Sequence, residues 1–333
     1  MKAVGHYRYL PIEHAESLVD VQIEAPKPEA RDLLVEVKAV SVNPGDTKRR
    51  AVGAKPAELK ILGYDAAGVV KAVGSGVTLF RPGDEVYYAG SNQRAGTNSE
   101  LHLVDERIVG HKPKSLPFAQ AAALPLTTIT AWEALFERMG ISKTGADAGK
   151  RLLILGGAGG VGSIALQLAK KLARLHVIAS ASRPESIAWV KQLGADATVD
   201  HTKSLPEQMG EEADYVFVCT NTDPVFAALP KLTRPQGRIC SIVRTLQPVD
   251  LAPLQEKSLS FSWEGMFTRS TFQTRDMQAQ HDLLEEAARL VDAGALVTTF
   301  QENLGRICAA HLKLAHRRIE QGHTIGKLVL EGF

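Results

Sequence analysis

The run Arg151-Leu-Leu-Ile-Leu-Gly-Gly-Ala-Gly-Gly-Val-Gly162 decides the fold. Four apolar residues, Leu152, Leu153, Ile154 and Leu155, stand between a charge and a glycine pair. So short and wholly apolar a run predicts a strand buried on both faces. Gly157, Gly159 and Gly162 follow in G-x-G-x-x-G register, and Val161, Ile164, Ala165, Leu168, Ala169 and Leu172 then recur at helical spacing. Strand, glycine turn and helix in that order give the motif a physical reading. The first glycine permits a tight turn, the second lets backbone approach a pyrophosphate, and the third lets helix and strand pack closely. The free N–H groups and partial positive charge of the helix N-terminus then face the phosphates. Gly157, Ala158, Gly159, Gly160, Val161 and Gly162 are the expected dinucleotide cradle.

Working outward, apolar strands are expected at 176–180, 197–200, 214–219 and 237–243, with a sixth candidate at 258–262. Helical runs lie between them, one over 184–193 with Pro184 suited to its first turn. Strands alternating with helices predict a parallel, doubly wound sheet. Residues 1–124 read differently. Leu33, Val35, Val37 and Ala39 alternate with Leu34, Glu36 and Lys38, and further strands are expected at 68–74 and 84–88, with Arg81-Pro-Gly-Asp84 as a turn. Repeated short strands predict a barrel or sandwich. A helical segment is expected over 124–139 and an amphipathic helix over 278–293; the pattern changes beyond Gly294, with a helix at 309–321 and a terminal strand at 326–330.

A chain of 333 residues is long enough for two cores. A net charge of +2 suggests no nucleic-acid or membrane partner, and no apolar run reaches the length of a membrane span. The start, Met1-Lys-Ala-Val-Gly-His6, lacks a signal-peptide layout, so a cytoplasmic protein is expected. Cys219, Cys240 and Cys308 are odd in number and far apart, which predicts buried, reduced thiols. The triplet Lys48-Arg49-Arg50 reads as a solvated face, an anion contact being the minor alternative.

Ser41-Val-Asn-Pro-Gly-Asp46, Leu62-Gly-Tyr-Asp-Ala-Ala-Gly-Val-Val70, Arg81-Pro-Gly-Asp-Glu-Val86, Ala123-Leu-Pro-Leu-Thr-Thr-Ile-Thr-Ala-Trp132, the glycine run and Gly326-Lys-Leu-Val-Leu330 occur in one order. With them the chain resembles the medium-chain dehydrogenase/reductase superfamily, and within it the zinc-free quinone oxidoreductase, zeta-crystallin-like branch. The resemblance implies an α/β architecture: a Rossmann domain, 125–294, inserted into a GroES-like β-rich catalytic domain, 1–124 and 295–333. It also implies a homodimer. Zinc-dependent members carry Cys near the position of Asn43 and Gly-His-Glu where this chain has Gly63-Tyr64-Asp65. The cysteines of their structural lobe are missing from 90–110, and His6, His14, His102 and His111 are scattered, as expected of satisfied surface or core histidines. No metal site is expected.

Without a Lewis acid an unactivated alcohol is hard to ionise near neutral pH. A quinone, or the double bond of an enone, accepts hydride directly if the protein orients it and stabilises charge on its oxygen. The resemblance assigns that role to Asn43 and Tyr64, whose amide and hydroxyl can donate to a carbonyl. Asn43 also suits a turn before Pro44-Gly45, and Tyr64 also suits a core. The resemblance places Thr130 and Lys327 at the nicotinamide cofactor and Asn221 beside its ribose. Trp263 and Phe267 are candidates for an apolar wall against a planar substrate. The second strand ends Ala179-Ser-Ala-Ser-Arg183, with no carboxylate before Glu185 to bind a ribose hydroxyl. Ser182 and Arg183 therefore point to a 2′-phosphate and to NADPH. The expected function is NADPH-dependent reduction of a small quinone or enone. The alternatives are a zinc alcohol dehydrogenase with atypical ligands and a non-catalytic NADPH-binding protein.

Overall fold

The computed structural model of the chain describes residues 1–53 and 58–333. Contacts divide it into two units, Met1–Leu126 with Phe267–Phe333, and Thr127–Met266.

The second unit is built on a six-stranded parallel sheet. Its spatial order is Ala197–Val199, His176–Ser180, Arg151–Leu155, Ala213–Val218, Thr233–Ser241, Ser260–Trp263. The first strand in sequence sits third, and the order reverses beside it, which makes a topological switch point at the end of Arg151–Leu155. Leu152, Leu153, Ile154 and Leu155 are buried, as the unbroken apolar run requires. One strand starts earlier than expected, at Thr233. Its register shifts between the pairs Ala213–Thr233 and Tyr215–Arg238, and Gln236 takes a φ of 64°. Pro235 and that irregular residue hide the strand's first half from a periodicity argument. The helix Pro125–Trp132 runs into a wider-wound turn, Glu133–Arg138, where the Met139 N–H reaches back to Ala134 O.

The first unit holds a seven-stranded sheet. Phe300–Asn303 pairs parallel with Lys327–Glu331; Asp32–Ser41, Ala66–Val73, Glu85–Tyr88 and Val109–His111 continue it antiparallel, and Leu101–Asp105 also pairs with Asp32–Ser41. A smaller sheet joins Val19–Gln22, Lys2–His6 and Lys60–Ile61. Val35, Val37, Val70, Val86 and Tyr88 form the core of this unit with Leu312 and Leu330.

The return to this unit begins at Phe267 rather than at 295. The amphipathic helix Ala279–Asp292 therefore belongs to the first unit. Tyr87 donates through its hydroxyl to Leu284 O, and Glu285 accepts from the His111 N–H. Its apolar stripe identifies a helix that needs a partner; it does not say which sheet supplies one.

Three other expectations change. Of the cysteines, only Cys240 is fully buried, while Cys219 and Cys308 are partly exposed; all are free thiols. His102 is satisfied by Tyr88 and Ala95 O, and its burial pushes its pKa down to about 4. His316, in contrast, is fully buried with no hydrogen bond to either ring nitrogen among the described residues. The basic triplet is not one solvated face. Arg50 is 1% exposed and bonds to Leu10 O and Glu320, whereas Lys48 and Arg49 are exposed.

Candidate active site

Asn43 leaves the strand Asp32–Ser41 in extended geometry and precedes the helix Pro44–Ala51. Pro44 needs no N–H in a first turn, and Asp46 accepts from the Asn43 backbone N–H at 2.7 Å. The Asn43 side chain has partners outside the helix. Its Nδ2 donates to Asp65 Oδ2 at 2.8 Å, and its Oδ1 accepts from Lys327 Nζ. Lys327 is 3% exposed, and its ammonium also donates to Val42 O at 3.2 Å and Asp65 Oδ2 at 2.9 Å. Three protons meet three acceptors, so no donor is left over. Lys327, which the resemblance places near the cofactor, directs its ammonium to these three buried acceptors.

Asp65 is the hub, and sequence reasoning named it only as a departure from the zinc pattern. It is fully buried; Oδ2 also accepts from Ser41 Oγ at 2.8 Å and Oδ1 from Leu126 N at 2.7 Å. A buried carboxylate with an ammonium and three further donors is compensated. Asp46 has fewer partners. Burial pushes its carboxyl up to about 7, against the pull of the Asn43 N–H and Lys327, and among the described residues its Oδ1 has no hydrogen bond.

Tyr64 is 4% exposed. Its ring meets Phe267 edge to face, centroids 5.1 Å apart, and the Arg49 guanidinium lies 5.5 Å from the Tyr64 ring centroid and 5.8 Å from that of Phe267. Burial raises the hydroxyl to about 12, with Arg49 opposing, so it stays protonated at neutral pH. Among the described residues it makes no hydrogen bond, and Tyr64 lines a cavity of about 350 Å³. A larger cavity of about 460 Å³, beside Cys308 and Phe333, shares no lining residue with it and contains none of the expected site residues. Trp263 and Phe267 fall in different units and pack on different rings. Trp263, 45% exposed, meets Phe261 edge to face within the second unit.

In the second unit the tight turn falls on Gly156, at φ +86°, one residue before the expected position. Its N–H donates to Ser180 Oγ at 2.8 Å. Gly157 instead packs against the next strand: a Cβ there would lie 2.8 Å from Ala179 Cβ. A Cβ on Gly162 would lie 2.3 Å from Gly156 O, so the third glycine closes the turn onto the helix Gly160–Lys171. Gly159, with Ala158 before it, precedes that helix, and Gly160 and Val161 form its first positions, all partly exposed. Ser182 Oγ lies 3.3 Å from His201 Nε2, a neighbour the sequence did not reveal. Arg183 precedes the helix Pro184–Gln192 and exchanges backbone hydrogen bonds with Ser186 Oγ. Thr130 is buried in its helix, and Asn221 is exposed, accepting from Asp223 N at 3.3 Å.

The family described as alcohol dehydrogenase GroES-like domain matches residues 29–125, and zinc-binding dehydrogenase matches 193–330. The chain belongs to the medium-chain dehydrogenase/reductase superfamily, oxidoreductases that bind a nicotinamide cofactor and act on small molecules. A zinc-type alcohol dehydrogenase-like protein of Staphylococcus aureus is 40% identical over 99% of both chains. The crystal structure of a putative zinc-dependent alcohol dehydrogenase of Rhizobium etli is 52% identical, with a TM-score of 0.95 over 100% of this chain and 98% of that one. An NADPH-dependent alkenal/one oxidoreductase of Arabidopsis thaliana is 38% identical over 60% of this chain and 52% of its own length.

Zinc, which three of these names carry, does not fit the residues here. Asn43 offers an amide, and Asp65 is committed to an ammonium and three other donors. Among the described residues no three His, Cys, Asp or Glu side chains are grouped to hold an ion. The dinucleotide does fit. The turn Gly156–Gly162 is closed tightly enough to exclude a Cβ at Gly157 and Gly162, leaves Gly159 uncrowded, and opens onto a helix N-terminus. No helix among the described residues is long and apolar enough to cross a membrane.

Proposed function

We propose that this chain reduces quinones or activated alkenes with NADPH. The observation that carries the reading is the buried, protonated Tyr64 hydroxyl, unpaired among the described residues, lining a cavity of small-molecule size. Bound NADPH would supply the hydride. The chain's own residues do the rest. Gly156, Gly159 and Gly162 shape the turn that would receive the pyrophosphate, Gly157 seats it on the next strand, and the helix N-terminus would donate to it. Tyr64 donates a hydrogen bond to the acceptor carbonyl, where negative charge develops as hydride arrives. Asn43, oriented by Asp65 and Lys327, retains one amide N–H for the same oxygen. Thr130 and Asn221 stay in the proposal as cofactor contacts, and Phe267 as the ring that fixes Tyr64. The reading is supported by the donor set and by a relative named for alkenal/one reduction with NADPH.

The purified protein is expected to oxidise NADPH when given ortho-quinones or enones. Tyr64→Phe should lower kcat about a hundredfold, the usual cost of one oxyanion donor. An acceptor panel that leaves NADPH absorbance flat, or a variant with unchanged kcat, overturns the assignment. The zinc in the relatives' names favours a second reading, alcohol oxidation. About one tightly held zinc per chain by elemental analysis, together with alcohol-dependent reduction of NADP⁺, would replace the first.

NADPH is assigned from Ser182 and Arg183, since no carboxylate follows the second strand before Glu185. One charged hydrogen bond is worth roughly 1.5–3 kcal/mol, or about ten- to a hundredfold. Arg183→Ala should therefore lower the NADPH-to-NADH ratio of kcat/KM at least about tenfold. A ratio that does not move shows that the guanidinium does not read the phosphate.

A further inference from the structure

The cavity beside Tyr64 carries charge that the proposed reduction does not use. Its wall includes Tyr9, Arg49, Lys60, Tyr64, Asn92 and Arg94, and among the described residues no Asp or Glu is in its lining. The three cations differ. Arg94 is neutralised by Asp32, which takes both of its terminal nitrogens at 2.7 and 2.9 Å. Lys60 donates to Tyr9 OH at 2.9 Å, and Arg49 lies over the Tyr64 and Phe267 rings. Neither forms an ion pair among the described residues. The cavity thus carries two positive charges outside any ion pair among the described residues, Arg49 beside the Tyr64 ring and Lys60 beside Tyr9.

We propose that this cavity selects acceptors that carry an anionic group, a carboxylate above all, held by Arg49 and Lys60 while the conjugated carbonyl lies at Tyr64. The proposal rests on Tyr64 as the carbonyl donor. Arg49 suits the task because its planar fork matches a carboxylate and lies over two rings that restrict where it can swing, which lowers the entropy lost on binding. Lys60 adds a compact charge on a separate strand, Lys60–Ile61, so the anion is met from two elements. Both side chains are exposed, so each contributes modestly and in a salt-dependent way.

The test uses the full chain with saturating NADPH and a matched pair of enones, 4-(4-carboxyphenyl)but-3-en-2-one and its methyl ester. At an ionic strength of about 10 mM, where screening is weak, kcat/KM should favour the acid about tenfold, chiefly through KM. Arg49→Gln and Lys60→Gln should each bring that ratio several-fold closer to one, and salt should do the same. The saturated ketones of the same pair separate binding from turnover. Calorimetric titration into the NADPH complex should show tighter binding of the acid. If both enones are reduced equally well and both ketones bind alike, the anion site is overturned while the reductase reading stands. If the acid ketone binds more tightly but neither enone turns over, the anion site stands and the reductase reading falls.

Discussion

Lys327→Met is expected to cost about 3–5 kcal/mol of folding stability, because it strands a buried carboxylate without its counter-charge. Asp65 is fully buried and Lys327 nearly so, leaving no water to replace the ammonium. Urea unfolding at neutral pH should show the midpoint falling with little change in slope. Adding Asp65→Asn to Lys327→Met should recover part of the loss, since a neutral amide needs no counter-ion. The single variant should also lose activity beyond its instability, because Asn43 Oδ1 loses the donor that orients the amide. A single variant within about 1 kcal/mol of wild type would mean that the pair is more hydrated than its burial indicates.

Gly162→Ala is expected to abolish cofactor binding, where Gly159→Ala only weakens it. At Gly162 the new Cβ meets backbone on two sides, Gly156 O at 2.3 Å and Gly157 Cα at 2.8 Å, and neither can swing away. The turn must open, at an overpacking cost of about 1–3 kcal/mol, and its N–H groups leave their aim. At Gly159 the only near neighbour is Gly156 O at 3.5 Å, an ordinary contact, and φ is −71°. The Gly159 variant should therefore keep wild-type stability within about 0.5 kcal/mol. It should still bind NADPH at least about tenfold more weakly if the pyrophosphate approaches that Cα. Thermal unfolding and NADPH fluorescence titration check both. Equal stability in the two variants would refute the distinction.

Much of the second unit was legible because its signals are local. An apolar run, a glycine turn and a 3.6-residue stripe each act over a few residues, and those of 151–172 lie next to one another in sequence. The misplacements have local causes too. Gly156 and Gly157 are adjacent glycines, and the motif alone does not say which takes positive φ. Pro235 and Gln236 interrupt the periodicity of a strand without ending it. Arg49 and Arg50 are neighbours of the same chemistry, yet one lies over an aromatic pair and the other is buried against Glu320. A helix turns successive side chains about 100° apart, and only the surrounding fold decides what each direction meets.

By itself the sequence determined the parallel α/β unit, the glycine cradle, and a donor inventory poor in thiolate and imidazole where zinc relatives have them. These follow from steric and chemical properties of residues taken a few at a time. The tertiary structure alone decided that Lys327, 284 residues from Asn43 and 262 from Asp65, spends its charge inward. Antiparallel registers set Val329 against Ser41 and Ala66 against Val40, which draws Ser41, Asn43, Asp65 and Lys327 into one buried cluster. Strand register is a property of the whole sheet, and no spacing within one segment encodes it.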